Sequence, residues 1–334
     1  QSLLTSDWYR AERIVADWEC GIYASKRVEY LADAVDQFQR DAEGRGLRKP
    51  TLKKYRILFD RLRAWCAENH VARLADLTPE ALRAFRDSWD LSSGITWNKN
   101  LERLRAFFGF CVDSGWMEKN PAKAVKRSTE NHIPTLSFTT EEIDRIMAAA
   151  NEHCEGKTGP ELRNAKRLRA LVLVLRWTGL RISDAVMLRV DQVQGDAILL
   201  PYQVKTRVAV RVPIPAMVRE ALEEIRTPDC THFFAPGAGN HETRAGNWRR
   251  RLRWLFQQAN VEGGHAHRFR DTIAVELLQT GVPTERVSVL LGHTSSRTTE
   301  RHYSPWVKSR QEQLEKDMAK LWKGNKRNKS GKKE

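Results

Sequence analysis

The chain has 334 residues, enough for about two domains of 100 to 200 residues each, and its 41% hydrophobic and 30% charged residues suit a folded protein, not a disordered or fibrous one. Its longest apolar run, Ala170 to Leu175, is closed by Arg176, far short of the ~20 residues that cross a bilayer. With 57 Lys and Arg against 42 Asp and Glu the net charge is +15, which favours a polyanionic partner, nucleic acid first.

Residues 1–27 read as an N-terminal helical extension, and QSLLTSDWYRAER lacks the apolar core of a signal peptide, so a cytoplasmic location is expected. From 28 to 118 the pattern predicts a helical domain. Tyr30, Leu31, Ala34, Val35 and Phe38 fall at helical spacing, as do Tyr55, Leu58, Phe59, Leu62 and Trp65. Pro50 before Thr51 predicts Thr51 as the second helix's N-cap, and Thr78-Pro79 predicts a capped third helix. A fourth is expected from about Ile95 to Asp113, with Leu101, Leu104, Phe107, Phe108 and Cys111 as its stripe. Residues 119–136, with Asn120-Pro121 and Pro134, lose periodicity and read as a linker.

A second domain, 137–322, opens on Thr139-Thr140-Glu141-Glu142, a capped helix start. Two β-like runs, 197–200 and 208–212, flank the polar stretch YQVKTR and predict a hairpin among helices. The fold class expected is mainly α with a small β-sheet: a helical N-terminal domain followed by a mixed α+β domain. The tail 323–334, KGNKRNKSGKKE, is expected to be disordered. It holds six basic residues and one acidic, about a third of the net charge. Both domains are therefore only mildly basic, and a nucleic-acid surface needs uneven placement of charge.

Five widely spaced cysteines (Cys20, Cys66, Cys111, Cys154, Cys230) without a CxxC pair read as reduced, mostly buried thiols. NEHCEGKT ends like a phosphate-binding loop, but Asn151 stands where that motif has its first glycine. His241-Glu242 continues as Thr243-Arg244-Ala245 and lacks the second histidine of HExxH. Neither a metal nor a cofactor is expected.

What remains is an ordered series in the second domain. In Thr178-Gly179-Leu180-Arg181-Ile182-Ser183-Asp184 a glycine turn sets Arg181 at a helix start, where its fork suits a phosphate and Asp184 can hold the guanidinium. Lys205 sits at the hairpin tip, where a lysine can act as a proton donor. His267-Arg268-Phe269-Arg270 opens a helix with His267 and Arg270 on one side. Leu291-Gly292-His293 follows, then Tyr303. Singly, each has a plain explanation: a surface arginine near a helix N-terminal acid, a solvated turn lysine, a buried tyrosine with a bonded hydroxyl.

In this order the series resembles the tyrosine recombinase (phage integrase) family, whose pattern is Arg, Lys, HxxR, a second His or Trp, and Tyr. Arg181, Lys205, His267, Arg270, His293 and Tyr303 match all six positions. The resemblance covers the second domain, about 135–322, and extends to the helical segment, which looks like the family's core-binding domain. Phe269 stands where the family usually has leucine, and Asp271 where a second histidine is frequent. The first 27 residues are too few for the extra arm-binding domain of some phage integrases.

The resemblance implies a site-specific recombinase that cuts and rejoins double-stranded DNA through a 3′-phosphotyrosine link. The residue types fit that chemistry. Two arginines, Arg181 and Arg270, meet the transition-state charge on the nonbridging oxygens without a metal. A phenol of pKa ~10 attacks and can later leave, which suits Tyr303. His267 then accepts the phenolic proton, His293 donates to the phosphate and Lys205 protonates the departing 5′ oxygen. Exchange of one ester for another needs no ATP. The resemblance also implies domains clamping the duplex, a monomer that becomes a tetramer on two duplexes, and a bacterial or phage, nucleoid-associated setting. Candidate backbone contacts are Arg48, Lys49, Lys53, Lys54, Lys99, Arg249, Arg250 and Arg253, whose competing reading is solvated helix surface. The stripe Val307, Leu314, Met318, Leu321, Trp322 predicts a terminal helix that docks in cis or on a neighbouring protomer. Rival readings are DNA relaxation of the type IB topoisomerase kind and a catalytically silent DNA-binding regulator. Integration, excision, transposition and dimer resolution are equally compatible with the sequence.

Overall fold

The computed structural model describes residues 30–89, 94–129, 137–228, 230–234, 241–293, 295–297, 299, 300, 315 and 318. The N-terminal extension, Tyr303, the terminal stripe apart from Met318, and the basic tail lie outside them. The chain forms two compact units, Gln1–His132 and Ile133–Glu334.

The first unit contains α1 (Leu31–Gly44), α2 (Lys49–Glu68), α3 (Pro79–Asp87) and α4 (Gly94–Asp113). The predicted stripes turn inward. Phe38, Phe59 and Phe107 meet edge to face, with ring centroids 5.6 Å apart for Phe38 with each of the others and 5.0 Å between Phe59 and Phe107. Burying each such ring stabilises the unit by about 1.5–3 kcal/mol. Thr78 caps α3 as expected, its Oγ1 accepting from Ala81 N at 3.2 Å. Thr51 does not cap α2. That helix starts at Lys49 after the extended Arg48, because Pro50 fits the first turn, where no N–H is needed, and need not stand before it. Residues past 119 also pack on this unit. Pro121, Ala122 and Val125 are buried, and Arg105 donates to Ala122 O at 3.1 Å and Val125 O at 2.9 Å. Asn98 and Ser128 exchange two further bonds, so the segment expected to be linker begins as part of the first unit.

The second unit contains α5 (Thr140–Glu152), α6 (Gly159–Thr178), α7 (Ile182–Val186), β1 (Val193–Gln194), β2 (Ala197–Leu200), β3 (Val210–Pro213), α8 (Ala216–Glu224), α9 (His241–Gln258), α10 (Ala266–Gln279) and α11 (Thr284–Leu291). The apolar run Ala170 to Leu175 is wholly buried, because α5, α8 and α10 all pack on α6. The expected hairpin is β2–β3, antiparallel with Leu200 opposite Val210; the two-residue β1 adds a strand that was not foreseen. Thr139 and Glu142 form the capping box of α5.

Arg268 fastens this helix start to α10, pairing with Glu142 Oε2 at 2.8 Å and reaching Ser137 O. On α9, Trp248, Leu252, Leu255 and Phe256 are buried while Arg249, Arg250 and Arg253 face solvent. Of the described thiols, Cys66 and Cys111 are buried, and Cys154 and Cys230 half-buried. Burial pushes Cys66 up to about 11 and Cys111 to about 12, so both stay protonated. Among the described residues no helix is long and apolar enough to cross a membrane.

Candidate active site

Two helix ends build the site. α6 ends on Gly179 at φ 61° and α11 ends on Gly292 at φ 64°, the left-handed cap that glycine adopts without strain. Space demands glycine there as well. A Cβ on Gly179 would lie 2.7 Å from Ile273 Cγ2, and one on Gly292 would lie 2.7 Å from the amide atoms of Gln203. These close approaches explain the glycines of TGLR and LGH. Arg181 follows the first as the N-cap of α7, and His293 follows the second.

Arg270, one turn into α10, joins the two ends. It donates Nη1 to Gly179 O at 2.9 Å and Nη2 to Leu291 O at 2.6 Å, and only 1% of the residue is exposed. A buried guanidinium is tolerable only when hydrogen-bonded in this way. The helix that carries it is packed by Phe269, buried against Phe138 and Phe256.

The hairpin loop enters from the other side. Gln203 N donates to Val208 O at 2.9 Å and Arg207 N to Gln203 O at 3.0 Å, with Arg207 in the left-handed region at φ 60°. Lys205 is exposed at the tip, between Val204 and Thr206. Asp184 holds this loop. Its Oδ1 accepts from Val204 N at 2.7 Å, and among the described residues no ion pair joins it to Arg181, contrary to the role expected of it. A backbone N–H twenty residues on competes better for the carboxylate than the neighbouring side chain. Asp184 still acts on Arg181 through space, partly offsetting the burial that lowers the guanidinium's pKa. Burial raises the carboxyl's own pKa, against the pull of Val204 N–H, Arg181 and Arg270.

Gln203 is the residue that sequence reasoning missed. It is fully buried. Its Oε1 accepts from Arg181 Nη1 and, at 2.8 Å, from Thr206 Oγ1. Its Nε2 donates to Leu291 O at 3.2 Å, the same carbonyl that Arg270 uses. In YQVKTR it reads as one more polar turn residue; a polar side chain two positions before the lysine is the only local signal.

His267 lies in the first turn of α10 with an open face, yet enough protein surrounds it that desolvation lowers its pKa. Asp271 opposes this shift, and Arg270 and Arg181 add to it. The ring is therefore neutral at pH 7. His293 is half-buried and shares a hydrogen bond with Thr299 Oγ1 at 2.8 Å. Arg181, the Lys205 loop, Arg270 and the His293 turn thus belong to one bonded network, and His267 stands on the same helix as Arg270. Tyr303 lies outside the described residues. The lysines and arginines proposed as DNA contacts are exposed. Among the described residues no group of three side chains could hold a metal ion.

The Phage integrase family model matches residues 137–308, just over half of the chain. This chain belongs to the phage integrase family. Among its relatives, tyrosine recombinase XerC of Erythrobacter litoralis (strain HTCC2594) is 30% identical over 264 residues, covering 78% of this chain and 83% of the relative. Tyrosine recombinase XerD of Mycobacterium leprae (strain TN) is 28% identical over 221 residues, covering 62% of this chain and 69% of the other. The fold is similar to that of a lambda integrase dimer bound to a COC′ core site, with TM-score 0.66, 18% identity, and coverage of 88% of this chain and 85% of that one. The mainly helical architecture with a three-stranded antiparallel sheet is that of the integrase family.

Proposed function

We propose that this tyrosine recombinase is a site-specific DNA recombinase whose chemistry is carried by Tyr303, Arg181, Lys205, His267, Arg270 and His293. The Tyr303 oxygen attacks the scissile phosphorus. The bond from phosphorus to the 5′ oxygen breaks, and a 3′-phosphotyrosine forms. The phenolic proton passes to His267, whose lowered pKa leaves it neutral and able to accept. Lys205, carried on the hairpin tip, protonates the departing 5′ oxygen. Arg181 and Arg270 balance the charge of the pentacoordinate phosphorus, with His293 donating to the same group. Attack by a 5′-hydroxyl of the partner strand reverses each step, so the number of ester bonds is conserved and neither ATP nor metal enters. Four protomers on two duplexes exchange both pairs of strands.

The observation that carries this reading is the bonded network itself: two cations, the lysine loop and the histidine turn are fixed by each other before any substrate binds, as transition-state stabilisation requires. A pool of nicked duplexes with randomised sequence, incubated with the wild-type chain and with Tyr303→Phe, tests it. The wild type should give a detergent-stable protein–DNA adduct whose recovered strands share one sequence. An adduct from Tyr303→Phe, or none from the wild type, would overturn the reading.

A further inference from the structure

We infer that Gln203 is a positioning residue of the strand-cleavage reaction, setting Arg181 and the Lys205 loop in one fixed relation to each other. This rests on the function proposed above. The side-chain amide has two donor hydrogens and two acceptor lone pairs. Both acceptor positions are used, by Arg181 Nη1 and by Thr206 Oγ1. One donor goes to Leu291 O. The amide's orientation is forced: a guanidinium can only donate and a carbonyl can only accept, so oxygen faces Arg181 and nitrogen faces Leu291.

The backbone of Gln203 closes the hairpin through its bonds with Val208 and Arg207. The Thr206 hydroxyl reaches back across the loop, with Lys205 at its tip. Moving the amide therefore moves the cation that meets the phosphate and the acid that protonates the leaving group together. It also disturbs Leu291 O, which anchors Arg270 just before the His293 turn. No other residue type of this size serves. A glutamate lacks the donor for Leu291 O, and a methionine lacks both functions in a site with no exposed surface. The bare Gly292, which a Cβ would bring to 2.7 Å from this amide, shows how closely the chain is built around it.

The test uses the full chain and the duplex recovered by covalent capture from the randomised pool, at saturating protein and in a single turnover. Adduct formation is followed on three versions of that duplex. One is unmodified. One carries sulfur in place of the bridging 5′ oxygen, which leaves without a proton and so bypasses Lys205. One has a methylphosphonate at the scissile position, which lacks one anionic oxygen and so needs less of Arg181. Gln203→Met should slow cleavage of the unmodified duplex about 100-fold, as ångström-scale misplacement does, with half-saturation unchanged and with partial recovery on each modified duplex. Thr206→Val removes the loop-side bond only. It should cost about tenfold and be relieved by sulfur but not by methylphosphonate, and it keeps the inference open to refutation if Gln203→Met does not fold. Wild-type rates in either variant, or an equal loss on all three duplexes, would overturn the inference while leaving the recombinase reading intact. Absence of a wild-type adduct would overturn that reading instead.

Discussion

The two units are stabilised by opposite strategies. In the first, the described buried side chains form a hydrocarbon and aromatic core around Phe38, Phe59 and Phe107, and the charges lie outside it, as in the Arg63–Asp36 pair. In the second, the buried set also includes Arg167, Asp184, Gln203, Arg268, Arg270 and Asp271. Burying polar groups weakens a core unless each is bonded, and a bonded network then fixes positions that apolar packing leaves adjustable. A surface that needs only to present lysines can rest on an apolar core. A site that must hold two guanidiniums in fixed places cannot.

The largest effect is expected from Arg270→Ala. Cleavage should fall by at least 10²–10³-fold, as for loss of a preorganised transition-state donor. The carbonyl of Gly179 loses its Arg270 partner as well, at about 1–3 kcal/mol, while Leu291 O gives up one of two donors and keeps Gln203 Nε2. Denaturant melts and adduct assays on the same preparation check both, and an unchanged melt would mean that the network adds nothing to stability. Phe59→Ala is the counterpart in the first unit. It should cost about 3–5 kcal/mol of stability yet leave the single-turnover rate at saturating DNA unchanged; a matching loss of rate would erase the distinction between the units.

The same contrast decides what could be read from the sequence. The helices of the first unit were legible because an apolar core imprints its periodicity on the chain, as Leu58, Phe59 and Leu62 show. The caps at Thr78 and Thr139 were legible because capping is local. The cap expected at Thr51 lies three residues earlier, at Arg48, because Pro50 fits inside the first turn as well as before it, and β1 is too short to leave a pattern. In the second unit the order of the candidate catalytic side chains could be read, but not their partners. Asp184 bonds Val204 rather than Arg181, and Gln203 bonds Leu291 across 88 positions. Long-range polar closure leaves no trace in spacing.

Two glycines measure the difference directly. Gly292→Ala forces a side chain into the left-handed region, about 1–2 kcal/mol, and also onto Gln203. Gly46→Ala, at φ 72° with nothing within 4 Å, carries the backbone cost alone. The first should lower both stability and cleavage, the second stability only; equal behaviour would show that the approach to Gln203 is slack. A smaller effect is expected from Lys53→Gln with Lys54→Gln. If each exposed lysine neutralises one phosphate, the slope of log K against log salt should flatten by about two. An unchanged slope would return that pair to plain solvated surface.

The smallest effect concerns the charge on Asp184. Burial raises its carboxyl pKa in the folded chain, so the folded state holds the proton more tightly than the unfolded one. The stability gained is fully present below the unfolded value of about 3.9 and is lost as pH rises through the folded value. At neutral pH the ionised carboxylate is thus a net cost, borne while it pulls on Arg181 and takes the Val204 N–H. Asp184→Asn keeps an oxygen for Val204 and removes the charge. Melts between pH 4 and pH 7 should then be flatter for the variant than for the wild type, with the variant at least as stable at pH 7 and slower in cleavage. Parallel pH profiles would show that Asp184 is already neutral in the folded chain or that its charge is fully compensated. A flatter profile with slower cleavage would show the second unit giving up stability to keep a negative charge near its arginines, a cost that no buried carboxylate among the described residues imposes on the first.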